Sequence, residues 1–590
     1  MCRPCGRRRG RGDAGARPRR RALREVRERQ HRRSLRGGRA LPPPACAHRH
    51  AGAGGQSAPI VHLFLAGPPG IGKSTLAPVL ARHFGAAVVE LDREIERRAR
   101  KTCKAVIEDD GMERFRDLES SVLTRLQPTP AWVVVDTGGG APIREANRAR
   151  MRQLGLIVGL RGSLDRVTSG IAATMAKRPD QHVAPRDRAR SALRERGEAY
   201  NDADVTFDVD GATVPEVARA IAAWLVSARG VRIDVAGPER PSRVLIRAGI
   251  LEHVGPHLAD LGWRGRVALV DDARTASRYE TAVVRSLAAV GLEPVTLRVP
   301  AGEGAKRLSV AARLWDSLAR EGIGRDGGIV ALGGGSVGDV AGFVAASYLR
   351  GIRVAQIPTT LLGMADASIG GKTAIDIAAG KNLVGAFHSP DAVFADLTVL
   401  ATLPARQLSS GLAEVVKSAF LADRDSVAQL ARGLESVRAG DLGALLAAVT
   451  IAAEVKAGIV SRDPREAGLR ELLNFGHTMG HAYESASGYR VTHGEAVAVG
   501  MVYATTLAEL MGLTSPALRP QLEQLLERAN LPTRARLPSA VWGFVLRDKK
   551  ARAGKLRWIL PRRIGRFSEV IDIDERALRA AARIVGGRAA

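Results

Sequence analysis

The nine residues GPPGIGKST, Gly67 to Thr75, leave this chain few folds to choose from. An apolar run, Ile60 to Ala66, reads as a buried strand immediately before them, and a helical stretch follows from Ser74 to Phe84. In that setting the glycines let backbone amides face a phosphate, and the helix N-terminus adds positive potential. Lys73 neutralises terminal phosphates and Ser74 holds magnesium. Gly67, Gly72, Lys73 and Ser74 fit the spacing, and Gly70 and Thr75 complete the cradle. The expectation is a site for a nucleoside triphosphate with Mg2+.

The following residues alternate in the same way. Ala86 to Leu91 reads as a strand that leads into Asp92, FRDLE (Phe115 to Glu119) falls on a helix, and Trp132 to Val135 forms a strand ending in DTGGG (Asp136 to Gly140). Strands and helices alternating after a phosphate loop imply a small parallel sheet with its site at the strand C-termini. GPPGIGKST, LDREIE, FRDLE, TGGG and RERGEAY (Arg194 to Tyr200) together resemble shikimate kinase over roughly residues 59–226. The resemblance implies that Asp92, Arg116 and Gly138, Gly139 and Gly140 hold shikimate. It also implies that Arg196 completes a carboxylate clamp and that Arg178 is a catalytic lid residue beside Lys73. The family has Asp-x-Asp where this chain has Glu90-Leu91-Asp92, one methylene longer on the magnesium side.

A length of 590 residues is expected to give several domains, each with its own core. The net charge of +28 is unevenly spread. Residues 1–50 hold 17 arginines against Asp13, Glu25 and Glu28, and they contain three of the four cysteines. Residues 1–57 have no apolar periodicity and are expected to be a disordered, dispensable tail, or an over-extended start of the reading frame. A transit peptide and a nucleic-acid arm are the other readings of the tail. No aromatic residue interleaves there, which disfavours nucleic acid as a partner. Cys103 alone in the remainder builds no disulfide framework, so the expected compartment is the reducing cytoplasm. No run approaches the ~18 apolar residues of a membrane span. Arg outnumbers Lys 77 to 12, so a surviving Lys marks a place for a compact amine of tunable pKa.

From Val231 strand and helix signals resume, and Gly328 to Leu332 opens into GGGSVGDVAGF. Gly333, Gly335 and Gly338 stand at the spacing of a dinucleotide-pyrophosphate loop, with Asp339 placed for a ribose or nicotinamide-side group. PTTLLGMADASIGGKTAID and GKNLVGAFHSP suit a small anionic ligand, with Lys372 and Lys381 as point charges. From about Leu397 amphipathic helices take over, and SGLAEVVK sets Glu414 and Lys417 on one helix face. Three of the chain's 12 histidines, His477, His481 and His493, crowd between Arg470 and Glu495. Three imidazoles able to converge suggest a metal centre, and helix caps or core rings are the alternative.

GGGSVGD, PTTLL, GGKTAID, GKNLVGAFH, SGLAEVVK, LNFGHTMGHA, HGEAVAVGM and DKK, in that order, resemble 3-dehydroquinate synthase from about residue 230 to 590. The resemblance implies Glu414, His477 and His493 as ligands of Zn2+ (or Co2+), and it gives His481, Lys372 and Glu466 to catalysis. Asp366, Lys372, Asn382, Lys417, Lys456, Arg470, Asn474, His481 and Lys549 would contact substrate. Glu303, Lys306, Gly334, Gly335, Ser336, Asp339, Thr359, Thr360, Lys381 and Thr402 would hold NAD. Arg350 would reach into a neighbouring subunit's site, which implies a homodimer.

The expected whole is α/β. A P-loop domain with a parallel sheet (58–228) is followed by a Rossmann-like NAD-binding domain (229–396) and a mainly α-helical metal-binding domain (397–590). Its implied chemistry joins ATP-dependent phosphorylation of shikimate to cyclisation of a heptulosonate phosphate with loss of phosphate, NAD being regenerated in each turnover. The rival readings are a regulatory kinase half and a related sugar-phosphate cyclase.

Overall fold

The computed structural model describes residues 62–127, 131–175, 183–237, 240–545, 556–571 and 573–587. The expectations for residues 1–57, Arg178 and Lys549 lie outside the described residues.

Strand β1 (His62–Ala66) is buried throughout and turns through the glycine loop into helix α1 (Lys73–Phe84). Strand β2 (Ala87–Glu90), helix α2 (Met112–Arg125), β3 (Val133–Asp136), β4 (Gly155–Arg161), helix α3 (Pro185–Asn201) and β5 (Val205–Asp208) follow. The five strands form one wholly parallel sheet in the order β2-β3-β1-β4-β5. Parallel register sets Glu90 beside Asp136 at the strand C-termini.

A second sheet of seven strands has the order β6-β7-β14-β11-β10-β8-β9. Its strands are β6 (Val231–Val235), β7 (Ser242–Arg247), β8 (Arg266–Asp272), β9 (Glu293–Val299), β10 (Gly328–Gly333), β11 (Arg353–Pro358) and β14 (Ala392–Asp396). Only the edge strand β6 runs antiparallel to its neighbour. β10 reads GIVALG with every residue buried, as expected of a central strand covered on both faces. It opens into helix α4 (Gly335–Ser347). Between β11 and β14, β12 (Lys372–Ile377) and β13 (Gly380–Phe387) form a separate antiparallel hairpin.

Helices α5 (Ala405–Ala422), α6 (Arg424–Arg438), α7 (Leu442–Arg462), α8 (His477–Ala486) and α9 (His493–Leu510) dominate the rest. The strands do not stop at Leu397, as the amphipathic pattern had suggested. β15 (Arg557–Arg563) and β16 (Arg566–Ile571) make a hairpin turning at Ile564-Gly565, where Gly565 takes φ +73. Pro561 masked that strand in the sequence, because proline cannot donate to a ladder.

Two further expectations are corrected. Helix α7 is long and apolar enough to cross a membrane by length and composition, with a mean hydropathy of 1.7. It is nevertheless a core helix, 83% buried in that window and carrying Glu454 and Lys456. The halves also share part of their cores, although each keeps a cluster of its own, from Phe64 to Ile157 in the first and from Ala268 to Ile375 in the second. One continuous apolar cluster runs from Leu63 and Phe84 through Leu225 and Val231 to Ile451 and Val585.

Candidate active sites

The glycine loop is built for close approach. Gly70 takes φ +78, and a Cβ there would lie 2.5 Å from the Ile171 amide nitrogen. Lys73 is buried, and removal from water lowers its pKa. Its ammonium donates back to the carbonyls of Gly67 (2.8 Å) and Pro68 (3.1 Å). Ser74 Oγ donates to Asp136 Oδ2 at 2.5 Å, and Asp136 Oδ1 accepts the Gly138 amide at 3.0 Å. The motifs give Asp136 no role of its own, although a strand ending in Asp beside a phosphate loop is a signal for one. Glu90, next to it, is ion-paired with Arg93 at 2.8 Å.

The other side of this cleft is cationic. Arg116, on α2, pairs with the buried Glu119 at 2.7 Å. Burial raises Glu119 to about 7 despite that partner. A Cβ at Gly140 would fall 1.5 Å from Arg116 Nη1, and one at Gly138 would fall 2.8 Å from Asp92 Oδ1. Only glycines let these side chains lie against the loop. Tyr200 donates to the Gly139 carbonyl at 2.6 Å, and Arg196, one turn before it on α3, lies 3.5 Å from the same oxygen. Asp92, Arg116, Gly138 to Gly140 and Arg196 therefore meet at one place.

In the larger half, three helices converge. Glu414 on α5 is 1% exposed. Its Oε1 lies 3.5 Å from His477 Nε2, at the start of α8, and 3.4 Å from His493 Nε2, at the start of α9. One ligand atom from each of the three falls within 4.8 Å of the others. Lys417, one turn further on α5, ion-pairs with Glu414, but neither carboxylate oxygen finds a hydrogen-bond partner. A buried carboxylate facing two imidazole nitrogens is the donor set a divalent ion such as zinc or cobalt takes.

Burial opposes the charge on Glu414, yet Lys417 and the two imidazoles hold it well below the usual carboxylate range. Burial likewise opposes a proton on His493, but Glu414 and Glu484 overcome it and raise the ring to about 9. Outer partners aim both rings. His477 Nδ1 meets the Phe475 carbonyl at 3.2 Å, and His493 Nδ1 meets Glu484 Oε2 at 3.4 Å. The His481 ring sits 5.1 Å from His477 and 5.8 Å from His493, beside the triad rather than in it. Of the three histidines that crowd the sequence, two join Glu414 and the third flanks them.

Cations surround this cluster. Lys456, on α7, reaches Asp366 Oδ1 at 2.5 Å and its carbonyl at 2.8 Å. Arg470 donates to the carbonyls of Pro464 and Gly370, both at 2.8 Å, and leaves its buried Nε without a partner. Lys372 pairs with Glu466 at 2.6 Å. Asn474 closes the short helical turn Leu469–Asn474, two residues before Gly476 caps α8.

The dinucleotide-type loop lies between β10 and α4, with Gly334 at the cap of α4. Lys306 bonds Asp339 at 2.7 Å and also contacts Asn382, so Asn382 stands beside the Lys306–Asp339 pair. Ser336 Oγ approaches Glu303 at 3.5 Å, and Lys381 lies 3.7 Å from Glu303 and 3.9 Å from Glu484. Thr359 donates its amide to Gly333 at 2.9 Å, Thr360 Oγ1 accepts the Gly363 amide at 3.0 Å, and Thr402 Oγ1 meets the Tyr279 hydroxyl at 2.5 Å. Asp271 is a buried acid on the neighbouring strand. It is the last but one residue of β8, opposite Leu332, is fully buried, pairs with Arg298 at 2.8 Å, and is raised by burial to about 7.

A P-loop unit with an arginine-lined cleft, joined to an open α/β sheet beside a carboxylate–imidazole triad, defines a two-part enzyme. Family models divide the chain the same way, matching shikimate kinase at 69–226 and the N- and C-terminal parts of 3-dehydroquinate synthase at 296–410 and 411–551. The 3-dehydroquinate synthase of Symbiobacterium thermophilum is 44% identical over 344 residues, covering 57% of this chain and 95% of that protein. That of Gloeobacter violaceus is 44% identical over 353 residues, covering 59% and 98%. Among solved structures, 2-epi-5-epi-valiolone synthase from Streptomyces hygroscopicus subsp. jinggangensis, with NAD+ and Zn2+ bound, is 30% identical with a TM-score of 0.55 over 58% of this chain and 96% of that one. A 2-deoxy-scyllo-inosose synthase complexed with carbaglucose-6-phosphate, NAD+ and Co2+ is 25% identical with a TM-score of 0.53, covering 60% and 100%. The chain belongs to the 3-dehydroquinate synthase family and carries a shikimate kinase domain ahead of it, which makes it a bifunctional enzyme of the shikimate pathway.

Proposed function

We propose that residues 58–228 transfer phosphate from ATP to shikimate. Residues 229–396 then hold NAD, and residues 397–590 hold a divalent ion and 3-deoxy-D-arabino-heptulosonate 7-phosphate, which becomes 3-dehydroquinate plus phosphate. The observation that carries the second activity is the buried Glu414 carboxylate facing His477 and His493. NAD+ with Zn2+ or Co2+ in the two related cyclases supports the same pair of helpers here. When bound, the ion supplies a Lewis acid and NAD a reversible hydride acceptor.

The chain's own residues do the rest. The substrate carries a carboxylate and a phosphate, and Lys417, Lys456, Arg470 and Lys372 supply the cations for both ends. Asp366 and Glu466 keep Lys456 and Lys372 oriented through their ion pairs. Arg470 has one buried N–H still to satisfy, which suits a planar anion. His481, outside the ligand set, is free to take or return a proton beside the reacting carbons. In the kinase half, Lys73 leaves its loop carbonyls for the transferred phosphate, Ser74 and Asp136 flank the magnesium position, and Arg116 with Arg196 clamps the shikimate carboxylate.

Arg350 is exposed and sits past the C-terminal end of α4, about 20 Å of helix from the glycine loop at the other end. That placement supports its service to a partner's site in a homodimer. We place the protein in a reducing cytoplasm, in keeping with the single cysteine, Cys103, of residues 58–590.

The deciding test is phosphate release from the heptulosonate phosphate by purified protein, lost on chelation and restored by Zn2+. Release that survives both chelation and Glu414→Gln would sink the assignment.

A further inference from the structure

The side-chain amide of Gln429, on α6 of the synthase half, is engaged at both ends by the kinase half. Its Oε1 accepts the Trp132 amide N–H at 2.7 Å, and its Nε2 donates to the Phe84 carbonyl at 2.9 Å. The side chain is 1% exposed. Phe84 ends α1, so its carbonyl is among the last four that a helix cannot satisfy internally. One turn along α6, Arg432 Nε donates to the Gly85 carbonyl at 2.9 Å. Two glycines permit this approach. Gly85 takes φ +59, and a Cβ there would stand 2.8 Å from the Gln429 carbonyl oxygen; a Cβ on Gly443 would stand 2.7 Å from that of His83. The Phe84 and Trp132 rings stack at 4.8 Å beside the contact.

The near ends of the same two elements carry the kinase chemistry. Helix α1 starts at Lys73 and Ser74, and β3, which follows Trp132, ends at Asp136. The two meet again through the bond from Ser74 to Asp136. α1 is a rod of 12 residues, about 18 Å long, and β3 has four residues. A rigid helix and a short strand clipped together at the rear have their relative tilt fixed at the front.

We propose that Gln429 is a positioning residue for phosphoryl transfer, so that the synthase half completes the kinase half from behind. The proposal rests on residues 69–226 acting as a kinase.

The test uses the full chain. Gln429→Met keeps the volume and loses both hydrogen bonds, and Gln429→Ala serves as a second, smaller variant. Kinase kcat/KM for ATP is expected to fall roughly tenfold with KM for ATP raised, the scale of a small misplacement of the phosphate-binding groups by a change far from the chemistry. Synthase kcat and KM are expected to stay within about twofold. Gln429→Glu keeps the acceptor for Trp132 but sets a carboxylate against the Phe84 carbonyl, and it should be no better than the Met variant. An amide that merely holds the protein together would instead lower both activities in parallel at unchanged kinase KM, in step with the yield of folded protein. That pattern, or an unaltered kinase, overturns the proposal. If the kinase reading itself is wrong, the unsubstituted chain will not phosphorylate shikimate at all, which separates the two failures.

Discussion

Ser74 Oγ stands 2.5 Å from Asp136 Oδ2, which ties the first turn of the P-loop helix to the end of the neighbouring strand. A hydroxyl and a carboxylate at that spot are the pair that flanks magnesium in P-loop phosphotransferases. Asp136→Asn keeps the shape and the acceptor but loses the charge. Shikimate phosphorylation should then fall between ten- and a hundredfold, roughly the cost of losing a partner around a metal. Raising Mg2+ should recover part of the loss, and synthase turnover should not change. An Asp136→Asn enzyme with wild-type kinase kinetics would move the magnesium side to Glu90.

Glu484 gives the second test. It accepts from His493 Nδ1 at 3.4 Å and lies 3.9 Å from Lys381, so it connects the Glu414–His477–His493 cluster to the lysine proposed to hold NAD. Such outer partners hold the tautomer and direction of a ligating ring. Glu484→Gln should weaken Zn2+ affinity by about 10- to 100-fold, measured by competition with a chromophoric chelator, while the fold stays intact by circular dichroism. Affinity equal to the wild type would show that His493 is aimed by its backbone alone.

Much of this was legible in the sequence, and the rest failed for identifiable reasons. The strand–loop–helix signals around Gly67 and Gly333 are local, because the chemistry of the loop and the periodicity of its flanks lie within a dozen residues. Glu414 could not be read locally. It stands 63 residues before His477, and an isolated Glu-x-x-Lys on a helix has the pattern of a surface ion pair. The resemblance to a family supplied it. The contact between Gln429 and Trp132 spans 297 positions and lies in no motif, so only the fold displays it. The shared core has the same origin: short strands and helices announce their buried faces, but not which half will cover them.

Glu454 provides a pH test of that shared core. It sits on α7 with its Oε1 buried and without a hydrogen-bond partner, and burial alone raises its pKa from 4.5 to about 8. Below pH 4.5 both the folded and unfolded chains hold the proton, and the group costs nothing. As pH rises from 4.5 towards 8, the unfolded chain releases the proton and the folded chain keeps it, so stability falls across that window and then levels off. Glu454→Gln removes the penalty. Its melting temperature should match the wild type near pH 4.5 and exceed it by several degrees at pH 8.5, as read by scanning calorimetry. A constant difference at the two pH values would mean that the carboxyl is solvated in the folded protein.

Arg350 carries the last test, because the service to a second subunit proposed for it can be separated from any role in its own. Leu349 and Arg350 take φ +49 and +62 in succession, a conformation that side chains with a Cβ rarely adopt. The surrounding turn holds them there and leaves the guanidinium exposed. If that arginine completes a partner's site, a chain with Arg350→Ala still offers Lys456, and a chain with Lys456→Ala still offers Arg350. Each variant alone should have little synthase activity. Mixed in equal amounts and allowed to exchange subunits, half of the dimers pair one chain of each kind, and each such dimer holds one intact site. About a quarter of wild-type activity should therefore return. Kinase activity should be full in every mixture. A mixture no more active than its components would place Arg350 in its own subunit's site, or outside the chemistry altogether.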